Sequence, residues 1–534
     1  MASRLHIDEW RDSPHFAGVL VVSFVTTLFI TMFYVNEPFP PSSLDTPSYL
    51  TVAEKIKNHG TFTDVYRTPG YPLFIAIVFL IFGDGDIRFV SVAQAALYLI
   101  AAIELYVITY LIFRRVWVAT AVALIASVNT FQFSFAKGIL VEGFSMWTVV
   151  TLALTIVLFF RRPSARALWL VAGVLLLALM TRTEWMYVAV PLFALLVVST
   201  RSLGIARRLA LHAVVAVALF YSVLGVYVYA CGPQNGYGPF VVIPRIVALG
   251  KVFQYRMQDE APPKYAVWTR RMDEYLAVEN RGPYDFAVLY PAVSADFWKL
   301  GGEYSRATIL NAPGKYLWKT IRFADSANKY RWGFGAIHQN RVFAGTLKYL
   351  QTLSTQTYSA YRLFPLFAVG CLALWLFALF RWTGYHPRIN MIAALAFLGL
   401  YQLFVVTAGG YDDWPRLYMT LNPSRILLVF GPTLVALGYL ARIVERRALP
   451  FLSQRAELVW WAWLALVALV VAGFVAFAFN AGIGPIAWDS REWLRIHPAR
   501  TIVLVVLAAW ITLLTYRARR AAAVSTFSGA TATG

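Results

Sequence analysis

The sequence predicts an all-α polytopic membrane protein: about twelve transmembrane helices, interfacial helices in the first outer loop, and a mainly helical extracytoplasmic domain. Three observations carry that prediction. Of 534 residues, 59% are hydrophobic and only 14% charged, against about 25% charged in soluble domains. The apolar residues gather in runs long enough to cross a bilayer core of ~30 Å. Arginines gather in the short turns between those runs: Arg114-Arg115, Arg161-Arg162 with Arg166, Arg201 with Arg207-Arg208, Arg381 with Arg388, Arg442 to Arg455, and Arg517 to Arg520. Cytoplasmic loops collect such charge. The net charge of +20 therefore reads as topology, and no basic, aromatic-interleaved module points to nucleic acid.

The first span is residues 16–35. It is long and lacks a small-residue cleavage site, so it reads as an uncleaved anchor. The first outer loop covers 36–88. Its opening, EPFPPSSLD, is stiffened by prolines. Tyr49, Leu50, Val52, Ala53 and Ile56 then recur at helical spacing, which predicts a short interfacial amphipathic helix with Asp45 near its N-terminus. The apolar run Tyr71–Phe82 follows and falls short of the ~17–25 residues a span needs. If it crossed, Arg114-Arg115 would lie outside and every later arginine turn would invert. It is expected to be re-entrant or interfacial on the outer side.

Further spans are expected at 89–113, 116–135, 142–160, 167–181, 184–199, 209–231, 361–380, 389–408, 423–441, 457–479 and 500–516, with both termini inside. Residues 232–360 are polar, mixed in charge and rich in aromatics. A segment of that length translocates despite its arginines, so it is expected outside. The organisation is an N-terminal transmembrane module (1–231), an extracytoplasmic domain (232–360), C-terminal transmembrane helices (361–516) and a disordered cytoplasmic tail (517–534). The two cysteines and seven histidines have neither disulfide-framework nor metal-ligand spacing. No cofactor is called for, and nothing supports a divalent metal.

Candidate chemistry gathers at one face. Asp45 is either a helix cap or a proton acceptor. Arg67, in VYRTPGYP, either grips a phosphate through its fork of donors or anchors on headgroups. Glu142 opens a span, with Lys137 before it. Arg182 and Glu184 share a very short outer turn, as a functional pair or a local ion pair; ionisable groups at membrane depth are costly and point to function. The late stretch GGYDDWPRLYMTLNPSRILL places Asp412, Asp413, Arg416, Tyr418 and Arg425 at the same face. Arginines there run against the positive-inside tendency, which favours phosphate binding. No Walker loop, HExxH, GxSxG or strand-borne GxGxxG is present, which argues against a soluble nucleotide donor.

The order of short motifs resembles a known family. DxxSYLxxAxxIxxxG from Asp45, YRTPGYPLFxAxxFLxFG from Tyr66, ILVEGF from Ile139, NAPGKYL from Asn311 and PRLYMTLNP from Pro415 are similar to the membrane-embedded GT-C glycosyltransferases. The nearest branch is that of dolichyl-phosphate-mannose protein mannosyltransferases and aminoarabinose transferases. The resemblance covers most of the N-terminal module and the rest in outline. It implies a glycosyltransferase of the cell membrane working on its extracytoplasmic side. The donor is a polyprenyl-phosphate-linked sugar and the acceptor a glycan, lipid or protein. Asp45 matches the catalytic base and Glu142 a second catalytic acid. Arg67 matches a phosphate contact, Arg416 and Tyr418 fall in the late element, and Tyr71, Arg182 and Glu184 join them as substrate-binding residues. Many members carry two adjacent acids in the first loop; here Thr46 follows Asp45. Direct displacement predicts inversion. Two other readings stand beside this one: a transporter or flippase for a lipid-linked or anionic substrate, and a scaffold whose outer domain binds partners. Transporters place broken helices at the bilayer midplane in pseudo-symmetric halves, whereas here the polar candidates share one face.

Overall fold

The computed structural model describes residues 14–43, 45–83, 85–233, 236–276, 297–327, 342–382, 384–409, 420, 422–454, 457–458, 460–464 and 506–520. Among the described residues there is no strand. Helix α1 (Pro14–Asn36) leads into the first loop, which folds as α2 (Thr46–His59) and α3 (Gly70–Phe82). Then come α4 (Ile87–Phe113), α5 (Val116–Ser127), α6 (Thr130–Lys137), α7 (Val141–Arg161), α8 (Ala165–Thr181), α9 (Ala189–Val198) and α10 (Ala206–Cys231). The next segment holds α11 (Pro239–Gln254), α12 (Ala266–Leu276), α13 (Phe297–Asn311) and α14 (Pro313–Ala327). Four more follow: α15 (Ala344–Ala360), α16 (Phe364–Arg381), α17 (Pro387–Gly409) and α18 (Asn422–Gln454).

Seven stretches among the described residues are long and apolar enough to cross a membrane: His15–Asn36, Ile87–Phe113, Val141–Arg161, Ala206–Cys231, Ala344–Arg381, Pro387–Ala408 and Asn422–Arg447. The expected span 116–135 is not one straight helix. It is the pair α5 and α6, bent by 57°. The break has a local cause. The Asn129 side chain accepts from the Gln132 amide at 3.1 Å, capping a new helix where the old one would have continued. The expected spans 167–181 and 184–199 fall on α8, of 17 residues, and α9, of 10. Arg182 separates them in an extended conformation, and a 3₁₀ turn, Thr183–Tyr187, follows it. Of the expected span 457–479 only residues 457–458 and 460–464 are described; of 500–516, residues 506–516 are described and are helical.

The chain divides into two compact units. The first comprises Met1–Ala344 and Tyr358–Gly431; the second comprises Gly345–Thr357 and Pro432–Gly534. In the first, α4 is central, packed against α1, α5 and α7. Ala102, Ala119 and Ala123 are buried at its contacts with α1 and α5, small enough to let the helices close. The segment expected as a separate domain at 232–360 contributes α11 to α14 to this same unit. Its core is Leu249, Val252, Phe253, Tyr255, Met257 and Tyr304. The NAPGKYL stretch is a strut within it. Asn311 donates to the Glu260 carbonyl at 2.9 Å, Lys315 to the Glu260 carboxylate, and Tyr316 to the Ala408 carbonyl at 2.7 Å.

In the second unit, residues 506–520 are helical. Residues 517–520, expected to belong to a disordered tail, are therefore part of a helix. Arg517 bonds Glu445, and Arg519 bonds Glu457 at 2.6 Å, so these cations extend the helix through Arg520. Residues 521–534 lie outside the described residues.

Candidate active site

The site is built on the first loop. Helix α2 stops at Gly60, whose left-handed φ of 63° turns its amide back onto Ile56, as helix ends commonly do. Its apolar face, Tyr49, Val52, Ala53 and Ile56, is buried, matching the spacing read from the sequence. Asp45 stands at the cap position but its side chain makes no cap hydrogen bond. Its Oδ1 accepts from Arg67 Nη2 at 2.5 Å. Arg67 Nε donates to Ser48 Oγ at 2.8 Å and Nη1 to the Tyr49 hydroxyl at 3.2 Å, while the guanidinium lies 4.3 Å from the Tyr49 ring centroid. The turn that delivers Arg67 is set by Asp64, whose carboxylate accepts from the amides of Tyr66 and Arg67 at 2.9 and 2.8 Å. The Asp45 and Arg67 side chains are each 20% exposed.

A second cluster lies deeper. Arg182 Nε donates to Glu184 at 2.9 Å and Nη1 approaches Glu142 at 3.5 Å; the three side chains, Arg182, Glu142 and Glu184, are 7%, 1% and 13% exposed. Burial pushes the Glu184 carboxyl up from its ordinary range, and Arg182 opposes the shift. Tyr401 donates to the Glu184 carbonyl at 2.5 Å and Tyr221 to the Met186 carbonyl at 3.0 Å. These two bonds fix the turn that carries Glu184.

Two connections join the clusters. Thr68 donates to the Thr181 carbonyl at 2.7 Å, so the residues beside Arg67 and Arg182 are bonded to each other. Gly70 permits this approach: a Cβ there would meet the Met180 carbonyl oxygen at 2.7 Å. The other connection is Gln94. Tyr71, expected to bind substrate, is fully buried against Tyr49, with ring centroids 4.9 Å apart, and donates its hydroxyl to Gln94 Oε1 at 2.8 Å. Burial raises the Tyr71 hydroxyl pKa well above its ordinary value, and Tyr49 and Glu142 add to the shift. The Gln94 amide nitrogen then donates to the carbonyls of Ala136, Gly138 and Leu140 at 3.1, 3.0 and 3.3 Å. One buried amide thus ties the support of Arg67 to the segment that delivers Glu142.

The structure brings together six expected residues, Asp45, Arg67, Tyr71, Glu142, Arg182 and Glu184. Asp412, Asp413, Arg416 and Tyr418 lie outside the described residues. Arg425, expected with them at the membrane face, is buried near the start of α18, over Tyr361 and Phe364 at 5.7 and 6.0 Å. Its Nη1 also donates to Asn422 Oδ1 at 3.4 Å. Sequence reasoning missed Ser48, Tyr49 and Gln94. The available signal was Gln94, a polar side chain inside an apolar run. Among the described residues no group of three or more His, Cys, Asp or Glu is placed to hold a metal ion.

No family model and no curated protein matches the chain. Three solved structures of an oligosaccharyltransferase from Archaeoglobus fulgidus, in one case described as AglB, are similar to it in shape, each with a TM-score of 0.41. One is the apo form, 10% identical over 95% of this chain. One is a complex with an inhibitory peptide and a dolichol-phosphate, 11% identical over 96%. One is tethered through a disulfide bond to an acceptor peptide containing the NVT sequon, again 11% identical over 96%. This chain spans 56% of the length of each. The functional reading rests on the side chains above.

Proposed function

We propose that this protein is a membrane glycosyltransferase. It moves a sugar from a polyprenyl-phosphate-linked donor to a hydroxyl of a glycan, lipid or protein acceptor on the extracytoplasmic face of the cell membrane. The supporting observation is the Asp45–Arg67 pair at 2.5 Å, part-exposed and backed by a second, buried arginine–carboxylate cluster. In this reading the chain has about twelve spans, and α2 and α3 lie at the membrane interface.

The chemistry follows from the pair. A donor phosphate competes for the Arg67 fork, which suits a phosphate at least as well as a carboxylate. The exchange frees Asp45. An acceptor hydroxyl oxygen attacks the anomeric carbon as the bond to the phosphate oxygen breaks. The electron pair leaves with the lipid phosphate, stabilised by Arg67, and the hydroxyl proton passes to Asp45. One direct displacement inverts the anomeric centre. Glu142 and Glu184 act through Arg182, holding its charge beside the site. Tyr71 supports Tyr49 from below. Arg416 and Tyr418 complete the phosphate end.

The test is transfer by the protein in vesicles supplied with a panel of polyprenyl-phosphate sugars, read as released polyprenyl phosphate and as labelled acceptor. The expected result is turnover that Asp45→Asn abolishes. Near-normal turnover by Asp45→Asn overturns the assignment of the base. Movement of the donor across the vesicle membrane without cleavage overturns the enzyme reading in favour of a flippase.

A further inference from the structure

Helix α14 presents its apolar residues away from the protein. Its inner face carries Tyr316 and Phe323, which pack on Tyr255 with ring centroids 5.5 and 6.1 Å away, and Thr320, which is buried. The opposite face carries Leu317, Trp318 and Ile321, 47%, 60% and 54% exposed. These three fall on one stripe of a helix. Basic residues border it: Arg322, which is exposed, and Lys315, held by Glu260. A stripe of leucine, tryptophan and isoleucine bordered by cations is the pattern of a helix lying in a membrane interface. Tryptophan favours that depth, and long basic side chains reach from it to headgroups.

The helix is also held at the right place. Tyr255 donates to the Thr407 carbonyl at 3.4 Å and Tyr316 to the Ala408 carbonyl at 2.7 Å. Ala408 ends the 22-residue stretch Pro387–Ala408, which is long and apolar enough to cross a membrane. Tyr316 and Phe323 lie two turns apart, and both touch the ring of Tyr255. The middle of α14, where Leu317, Trp318 and Ile321 sit, is therefore fixed at the end of α17. That is the depth at which a spanning helix leaves the acyl chains.

We propose that α14 is a membrane-docking helix, with Leu317, Trp318 and Ile321 in the acyl-chain boundary of the adjacent leaflet and Arg322 among its headgroups. The inference takes from the preceding reading only that α17 spans. It stands or falls independently of sugar transfer.

The experiment uses the full chain in vesicles of phosphatidylethanolamine and phosphatidylglycerol. In a Cys231→Ser, Cys371→Ser background, Leu317→Cys, Trp318→Cys, Ile321→Cys and Arg322→Cys each carry an environment-sensitive fluorophore. A nitroxide on a shallow acyl carbon of the lipid quenches from the bilayer, and iodide quenches from water. Expected are blue-shifted emission at 317, 318 and 321, and quenching there several-fold stronger by the lipid nitroxide than by iodide, with the reverse at 322. A benzophenone side chain at 318 in the otherwise native chain gives a second measurement, and its expected photo-adduct is phospholipid. Iodide quenching equal at all four positions overturns the proposal, because the stripe is then in water. Photo-adducts to protein instead of lipid also overturn it, because another segment or a second copy then covers the stripe.

Discussion

The Asp45–Arg67 pair and the Glu142–Arg182–Glu184 cluster use the same two chemistries and are joined by the Thr68–Thr181 bond, yet they differ in access to water. The first pair is 20% exposed on both sides, while Arg182 and Glu142 are 7% and 1% exposed. A part-exposed arginine exchanges one anion for another at modest cost. A buried one does not, because any carboxylate it releases is left charged in a poor dielectric. Ion pairs of similar appearance thus divide into one suited to turnover and one suited to holding the site's shape and field.

The largest expected effect breaks this division at its active half. Asp45→Asn should lower transfer by ~10²–10⁴-fold, the usual worth of a general base, while the melting temperature stays near that of the parent protein. A matching loss of fold would place Asp45 with the structural cluster. The next substitution attacks the other half. Arg182→Met leaves two carboxylates without their shared cation, and breaking a buried pair costs about 3–5 kcal/mol; thermal unfolding should show it. Adding Glu142→Gln and Glu184→Gln should restore much of the loss, because the buried charges then vanish together. A failed rescue would mean that Arg182 is needed for more than neutralisation.

Arg67 sharpens the comparison further. Arg67→Ala should nearly abolish binding of a polyprenyl-phosphate donor, and Arg67→Lys should be intermediate, since lysine keeps the charge and loses the fork. Equal binding by both variants would remove the phosphate role. Gln94→Leu probes the joint between the halves. It orphans the Tyr71 hydroxyl, at about 1–3 kcal/mol, and should reduce transfer more than donor binding, because it loosens Tyr49 and the segment before Glu142 together. The reverse order of losses would uncouple the two halves.

An effect away from the candidate site isolates burial itself. Desolvation pulls the Lys251 amine down to about 6, from about 10.4 in an unfolded chain. Below pH 6 the amine is charged in both states, and its burial opposes folding in full. As pH rises from about 6 toward about 10.4, the unfolded chain binds the extra proton, so stability rises. Lys251→Met should therefore stabilise the protein most at low pH and least near the top of that window. Unfolding midpoints across pH read the trend, and a gain that grows with pH would contradict it.

Much of the fold was legible because membrane solvation leaves a coarse code. Run lengths marked helices now seen at Pro14–Asn36, Ile87–Phe113, Val141–Arg161 and Ala206–Cys231. Helical spacing marked α2 and its buried face. The code failed where a single polar side chain overrode the run. Asn129 broke one expected span by capping, whereas Arg182 lies where the sequence put it, between the expected spans 167–181 and 184–199. The candidate site residues were legible as ionisable groups in costly places, and the structure gathers Asp45 with Arg67 and Glu142 with Arg182 and Glu184. Their supports were not. Tyr49 looks like an ordinary member of its helix until the chain folds, and Gln94 is marked only by being a polar side chain inside an apolar run. Arg425, expected at the membrane face, is instead buried over the rings of Tyr361 and Phe364.

The close approach at Gly70 has a consequence for anyone who re-engineers this protein. Because Thr68 is pinned to Thr181 and Gly70 sits under the Met180 carbonyl, residues 67–70 and 180–184 behave as one cassette. A graft that replaces only the first loop would bring a foreign backbone against the old α8 terminus and misplace both arginines at once. Chimeras should tolerate exchange of the two segments together and fail when either is exchanged alone. In a lineage of such proteins, the two segments would be inherited as a unit despite more than a hundred residues of chain between Thr68 and Thr181.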